Sequence, residues 1–83
     1  MMTELEYEYR KLVLEDEWLY RTFKFIDDPE PFTIVGVIVD RRRGEEGRRM
    51  DRLQDDWGNI WFVFELEDAK FLVEVENEGS IIY

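Results

Sequence analysis

The segment of residues 31–52, PFTIVGVIVDRRRGEEGRRMDR, contains the most apolar run of the chain and its only basic run. Residues 32–39 are apolar at both alternating sets of positions, which is typical of an interior strand covered on both faces. Gly36 in the middle of this run predicts a bend. We therefore expect residues 32–39 to form the central strand of the fold, followed by a basic loop at residues 41–52.

The N-terminal segment predicts a hairpin. Residues 4–9, ELEYEY, alternate between charged and apolar positions, which is the period of a strand with one buried face. If the acidic residues 15–17 form the turn, Tyr9 lies opposite Phe23 in a strongly bent two-stranded unit. The aromatic and β-branched residues that follow also favour strands.

A helix is the alternative for the same segment. Thr3 and Glu6 have the spacing of a capping box, in which each side chain binds the backbone N–H of the other residue. Leu5, Tyr9 and Leu12 also lie on one helical stripe. We favour the hairpin because of the strict alternation and the acidic break at residues 15–17.

The C-terminal part of the chain predicts a second hairpin, with its turn at residues 68–69 and apolar side chains on one face. Its opposite face would carry Glu65, Glu67, Glu74, Glu76 and Trp61. Residues 81–83 would add a short last strand after a turn at residues 77–80. Between the central strand and this hairpin, residues 48–54 are compatible with two turns of helix.

These elements predict a mainly β fold. Residues 1–83 are expected to form a single acidic domain, an antiparallel meander of five to six strands that curls or closes into a small barrel. One short helix near residues 48–54 is compatible with that arrangement. The alternative is an α+β fold with an N-terminal helix.

Composition argues against catalysis. The chain has no cysteine and no histidine, so it lacks thiolate ligands and the commonest general base. It has no glycine-rich phosphate loop, and residues 55–59, DDWGN, lack the spacing of a calcium-binding loop. We expect no enzyme activity, no catalytic residues, no metal and no cofactor. The segment MMTELEYEY does not resemble a secretory signal, and we expect a cytoplasmic protein without membrane contact.

Charge is distributed unevenly along the chain, whose net charge is −10. Residues 1–40 carry ten acidic and four basic side chains, and residues 53–83 carry eight acidic side chains against Lys70. Residues 41–52 carry six arginines and three acidic side chains. An acidic body of this kind attracts basic partners and repels nucleic acids and acidic membranes.

The acidic faces are the first candidate site. We expect them to bind a basic protein surface, most simply that of a nucleic-acid-binding protein. In size, acidity and absence of catalytic groups the chain is similar to phage-type inhibitors that occupy nucleic-acid grooves of host proteins, without a shared motif. The hypothesis is a stoichiometric inhibitor or adaptor, in one version a nucleic-acid mimic. The predicted partner-binding residues are Glu65, Glu67, Glu74, Glu76, Trp61, Glu4, Glu6 and Glu8.

The basic loop is the second candidate site. Its arginines are Arg41, Arg42, Arg43, Arg48, Arg49 and Arg52. In one alternative they contact the acidic face of a second copy, which gives a homo-oligomer. In another they bind nucleic acid, but no aromatic residue between positions 41 and 56 is available to stack on a base, so we expect no direct nucleic-acid binding.

Overall fold

The computed structural model describes residues 2–75, which form an α+β fold of five strands and three helices. In chain order these are α1 (Glu4–Trp18), β1 (Thr22–Phe25), β2 (Phe32–Ile38), α2 (Gly44–Arg49), β3 (Arg52–Asp55), β4 (Ile60–Phe62), α3 (Val63–Glu67) and β5 (Leu72–Val75). The predicted turn at residues 77–80 and strand at residues 81–83 lie outside the described residues.

The strands form one open antiparallel sheet in the order β4-β3-β2-β1-β5. The predicted antiparallel sheet of five to six strands is present with five strands, and β1 to β4 follow one another as in a meander. The predicted N-terminal strand is absent, and β3 lies where no strand was predicted. The mainly β class is wrong because the N-terminal segment is helical, and the sheet does not close into a barrel because β4 and β5 remain open edges. The α+β alternative with an N-terminal helix fits the structure.

Strand β2 lies in the middle of the sheet, as predicted for residues 32–39. Its register with β3 shifts by one residue between Ile34 and Gly36, so Val35 is an extra residue at a β-bulge. Ile34 is fully buried, whereas Val35 is 43% exposed. On other strands of the sheet, Ile60 in β4 is 50% exposed and Val73 in β5 is 37% exposed. The expectation that both faces of the strand are covered is therefore wrong, and the predicted bend near Gly36 is this bulge.

Helix α1 replaces the predicted N-terminal hairpin. Thr3 and Glu6 form the capping box, with Thr3 N–H donating to Glu6 Oε1 over 2.8 Å and Glu6 N–H to Thr3 Oγ1 over 3.2 Å. The residues between them and Trp18 are mostly good helix formers, without glycine or proline. A strand assignment failed because alternating glutamates are equally compatible with a solvent-exposed helix.

The buried face of α1 differs from the stripe that suggested a helix. Leu14 is buried, and Tyr7 and Trp18 pack against the same core. Leu5 and Tyr9 are 80% and 69% exposed, because they lie on the side of the helix that faces solvent. The sequence stripe thus indicated the correct period and the wrong face.

Helix α2 lies within the predicted basic loop, but earlier than the predicted short helix. It spans Gly44–Arg49 rather than residues 48–54, and β3 already begins at Arg52. Buried Gly47 allows the close approach of this helix to the preceding loop, because a Cβ atom at this position would overlap the carbonyl oxygen of Arg42.

The predicted C-terminal hairpin does not form. Strand β4 ends at Phe62, and α3 follows at once, with Val63 and Leu66 buried one helical turn apart. Strand β5 then pairs with β1 rather than with β4. This pairing satisfies the second edge of β1, whose backbone N–H and C=O groups would otherwise lack strand partners.

The core lies between the sheet and helices α1 and α3. Its buried side chains come from the N-terminus, from α1, β1, β2 and β3, from the residue after β2, and from α3. They are Met2, Leu14, Phe23, Phe32, Ile34, Val39, Leu53, Val63 and Leu66.

Candidate functional site

The predicted partner-binding carboxylates do not form one face. Glu4, Glu6 and Glu8 lie on α1, Glu65 and Glu67 lie on α3, and Glu74 lies on β5 at the opposite edge of the sheet from β4. Glu76 lies outside the described residues. The predicted C-terminal hairpin would have placed Glu65, Glu67, Glu74 and Glu76 on one face. Because this hairpin does not form, Glu65 and Glu67 lie on a different element from Glu74.

Several of these carboxylates have structural roles. Glu6 closes the capping box of α1, and Glu65 accepts a hydrogen bond from the backbone N–H of Phe62 at the start of α3. Glu74 forms a two-point pair with Arg21, whose Nε and Nη2 lie 2.8 and 2.5 Å from its carboxylate oxygens. This pair lowers the pKa of Glu74, first through the hydrogen bond from Arg21. It joins β5 to the segment before β1.

Trp61 is also placed differently from the prediction. Its ring is half-buried and stacks on Phe32 with 5.2 Å between the ring centroids. Its indole Nε1 donates to Asp55 Oδ2 over 2.9 Å. Trp61 therefore packs against the edge of the core and is not an exposed ring among glutamates.

The arginines of the basic loop mostly have partners within the chain. Arg42 pairs with Asp40 at 3.0 Å and with Glu46 at 3.1 Å. Arg43 lies 3.0 Å from the carboxylate of Glu6. Two further ion pairs are longer, with Arg41 3.8 Å from Glu4 and Arg48 4.0 Å from Glu45. The guanidinium groups of Arg41 and Arg49 also lie over the aromatic rings of Tyr7 and Phe64. Arg52 lies half-buried in β3.

A buried ion pair anchors this end of the molecule. Arg10 of α1 donates to Asp51 Oδ2 over 2.5 Å and to the carbonyl oxygens of Asp40 and Arg42 over 3.1 and 3.2 Å. Asp51 is 4% exposed and also accepts the backbone N–H of Asp40. The arginine-rich end is thus held together by one buried ion pair, Arg10–Asp51, and by exposed pairs of the loop arginines with carboxylates of the same chain.

The other end of the sheet brings two hairpin turns together. Two hydrogen bonds join the turn between β3 and β4 to the turn between β1 and β2 and the start of β2. Thr33 N–H donates to Asp56 Oδ1 over 3.0 Å, and Trp57 Nε1 donates to the Pro31 carbonyl over 2.9 Å. The loop before β5 joins them through Ile26 N–H and the Phe71 carbonyl at 2.8 Å. We call this end the turn-end surface.

The turn-end surface combines exposed carboxylates with exposed apolar side chains. Trp57, Phe71 and Ile26 are 61%, 65% and 59% exposed. Its carboxylates form no ion pair with any basic side chain of residues 2–75, although Lys70 lies in the same loop as Phe71. The members of the surface are Ile26, Asp27, Asp28, Glu30, Asp56, Trp57 and Phe71.

Asp55 forms the buried base of this end. It is 2% exposed, and its carboxylate accepts hydrogen bonds from the backbone N–H groups of Trp57 and Asn59 and from the side chains of Asn59 and Trp61. Burial raises the pKa of Asp55, but the hydrogen bonds from Trp61, Asn59 and Trp57 outweigh it and hold the pKa below its usual value. The carboxylate is therefore ionised at neutral pH.

An open cavity of about 540 Å³ lies beside Asp55. Three of its aromatic rings pack against one another, with centroids of Phe25, Phe32 and Trp61 separated by 5.2 to 6.1 Å. The rest of the cavity is lined by Asp28, Glu30, Asp55, Trp57 and Asn59. We call it the aromatic pocket. The DDWGN segment thus forms a polar turn beside a pocket, and among residues 2–75 no three carboxylates are grouped as metal ligands.

Of the residues that line the aromatic pocket, Trp61 alone was among the predicted partner-binding residues. The available signal was the two segments DDPEP and DDWGN, each of which joins acidic residues to turn-forming residues and lies between predicted strands. In a meander, alternate turns lie at the same end of the sheet. The rule brings these acidic segments together only because residues 52–55 form β3, whereas the sequence predicted a helix at residues 48–54.

Comparisons with protein-family models, with curated proteins and with solved structures each found no match. No helix within residues 2–75 is long and apolar enough to cross a membrane.

Proposed function

We propose that this chain is a non-catalytic binding protein that docks its turn-end surface on a basic surface of another protein. The observation that carries the proposal is the pairing pattern of its charges. Most arginines of the basic loop contact carboxylates of the same chain, whereas Asp27, Asp28, Glu30 and Asp56 have no basic partner within residues 2–75. These four carboxylates are therefore available to a basic partner, and they share the turn-end surface with the exposed side chains of Trp57, Phe71 and Ile26.

The apolar members of the turn-end surface support the same proposal. Interfaces draw most of their binding free energy from a few large side chains, tryptophan among the foremost, surrounded by polar groups that exclude water. Trp57 has this environment, because its indole N–H is held by the Pro31 carbonyl while its ring stays exposed between carboxylates. Charged groups around such an anchor increase the rate of association with a basic partner.

The finer form of the proposal is a stoichiometric inhibitor or adaptor of a nucleic-acid-binding protein. A basic groove evolved for phosphates would accept a compact group of carboxylates and would be blocked by it, as in phage-type nucleic-acid mimics. The two alternatives, self-association through the basic loop and nucleic-acid binding by its arginines, have less support. Both need guanidinium groups that already contact carboxylates or aromatic rings of the same chain.

The experiment is affinity capture from a lysate with the immobilised protein, followed by binding measurements with each purified captured protein in a salt series. We expect basic proteins whose affinity falls steeply as salt increases, because exposed charges are screened. The variant Asp27→Asn/Asp28→Asn/Glu30→Gln/Asp56→Asn should lose the interaction, and its amides retain the oxygen acceptors of the turns.

The matched control is Glu8→Gln/Glu15→Gln/Asp16→Asn/Glu17→Gln, which removes the same number of charges from α1. It should bind as the wild type does. Binding that is unchanged between low and high salt, or lost equally in both variants, contradicts the proposal. Sedimentation of the free protein tests self-association separately, since the alternative requires an oligomer at low salt.

A further inference from the structure

We propose that the aromatic pocket binds the guanidinium group of an arginine side chain carried by the partner. This inference rests on the proposed function and adds the chemical group that is recognised. It makes the pocket, rather than the carboxylates as a whole, the specific part of the turn-end surface. The residues that carry it are Phe25, Trp61, Trp57, Asp28 and Glu30.

The walls of the pocket suit a flat cation. Phe25, Phe32 and Trp61 form a packed group, of which Phe32 is buried and the other two rings are half-buried. Exposed Trp57 lines the same cavity. Faces of aromatic rings carry negative electrostatic potential and attract guanidinium groups, most strongly where water is partly excluded.

The charges of the pocket have the same sign. Asp28 and Glu30 line the pocket, and among residues 2–75 they form no ion pair and no lysine or arginine lines it. Beneath them, the carboxylate of Asp55 is satisfied only by neutral donors, so its negative charge has no cationic partner within the described part of the chain. A buried charge without a counter-charge adds to the attraction for a cation placed next to it.

Arginine fits these walls better than lysine does. Its planar group can stack on a ring while its N–H donors bind carboxylates, whereas an ammonium group is compact and strongly hydrated. Guanidinium groups lie over rings at three other places, where Arg41 lies 4.1 Å from the Tyr7 ring centroid, Arg21 5.5 Å from that of Phe23 and Arg49 5.6 Å from that of Phe64. Arg41 and Arg21 also pair with a carboxylate. In the aromatic pocket the rings and carboxylates are present without an arginine.

The test is a nuclear magnetic resonance titration of the full chain, followed through its three tryptophan indole N–H signals. The probe is the blocked peptide Gly-Gly-Arg-Gly-Gly, compared with the same peptide carrying citrulline, a neutral analogue of arginine, or lysine. We expect saturable shifts of the Trp57 and Trp61 signals with the arginine peptide. Trp18 is the last residue of α1 and packs on Phe23 rather than lining the pocket, so its signal should not respond.

The variant Asp28→Asn/Glu30→Gln should weaken binding of the arginine peptide about tenfold, since two partly screened charges are removed. Glu15→Gln/Asp16→Asn removes the same charge from α1 and should leave the affinity unchanged. Equal shifts with the citrulline or lysine peptide, a response of Trp18, or no response at all would overturn the proposal. If the turn-end variants lose a basic partner while the peptide causes no shift, the proposed function stands and the arginine pocket alone is excluded.

Discussion

Gly47 shows how one residue determines the position of an element. A side chain at this point would overlap the carbonyl oxygen of Arg42, and the nearest side chain is that of Arg10, which holds α1 to the same loop. We predict that Gly47→Ala lowers the free energy of unfolding by about 1–3 kcal/mol, because backbone atoms must move to relieve the overlap. Urea denaturation measures the change.

Gly36 provides the matched control for that substitution. A Cβ atom there would lie 3.8 Å from Gln54 Oε1, which is an ordinary contact, and the residue does not have a positive φ. Gly36→Ala should therefore change the free energy of unfolding by less than about 1 kcal/mol, partly by restricting the unfolded chain. Equal destabilisation by the two substitutions would show that the close approach at Gly47 does not matter.

At the scale of elements, the capping box determines where α1 begins. Thr3→Ala removes the acceptor for the backbone N–H of Glu6 and should lower the free energy of unfolding by about 1 kcal/mol. Thr3→Ser keeps the hydroxyl and should be close to the wild type. Thermal unfolding followed by far-ultraviolet circular dichroism compares them, and a serine variant as unstable as the alanine variant would rule out the cap as the cause.

Strand β5 depends on its pairing with β1, to which the Arg21–Glu74 ion pair adds little. Both side chains are nearly half exposed, at 43% and 45%, so solvent screens their attraction. Glu74→Gln should lower the free energy of unfolding by less than about 1 kcal/mol and should leave partner capture intact. Glu67→Gln is the comparison, because Glu67 has no ion pair among the described residues. If Glu74→Gln but not Glu67→Gln failed to capture the partner, Glu74 would belong to the binding surface.

At the scale of the whole molecule, the paired carboxylates should make stability depend on pH in the acidic range. Hydrogen bonds from Arg42 lower the pKa of Asp40 from 3.8 to about 2, and the pKa values of Glu6 and Glu74 are also lowered by their partners. Groups with lowered pKa values in the folded state contribute stability above their unfolded pKa, and this stability is lost as pH falls through the folded value. We predict that the urea midpoint falls as pH decreases from about 4 to about 2.

The variant Asp40→Asn isolates this effect from the general change in net charge on acidification. It should be less stable than the wild type at neutral pH, and the difference should disappear as pH approaches about 2. The control is Asp16→Asn, because Asp16 has no ion pair within residues 2–75. The urea midpoint of this variant should change with pH in the same way as that of the wild type. A constant difference between Asp40→Asn and the wild type at every pH would contradict the assignment. The chain has no histidine, so we expect little change in stability near neutral pH.

The sequence by itself determined the central strand and the limits on chemistry. Residues 32–39 are apolar at both alternating sets of positions, which predicted an interior strand, and β2 lies in the middle of the sheet although Val35 is partly exposed. The absence of histidine and cysteine is a property of composition and needs no structure. The acidic excess, likewise, could be read directly, and with it the expectation of a basic partner.

Only the tertiary structure decided how those segments meet. The alternation at residues 4–9 fits both a strand and an exposed helix face, and the helix prevails because Leu14 and Trp18 pack on the core and Thr3 caps its start. Strand β5 pairs with β1 because that edge was open, which no local pattern reveals. The same long-range pairing separates the predicted row of glutamates and brings Asp28 of one turn beside Trp57 of another. Local sequence specifies periodicity, but the composition of a surface depends on which distant segments become neighbours.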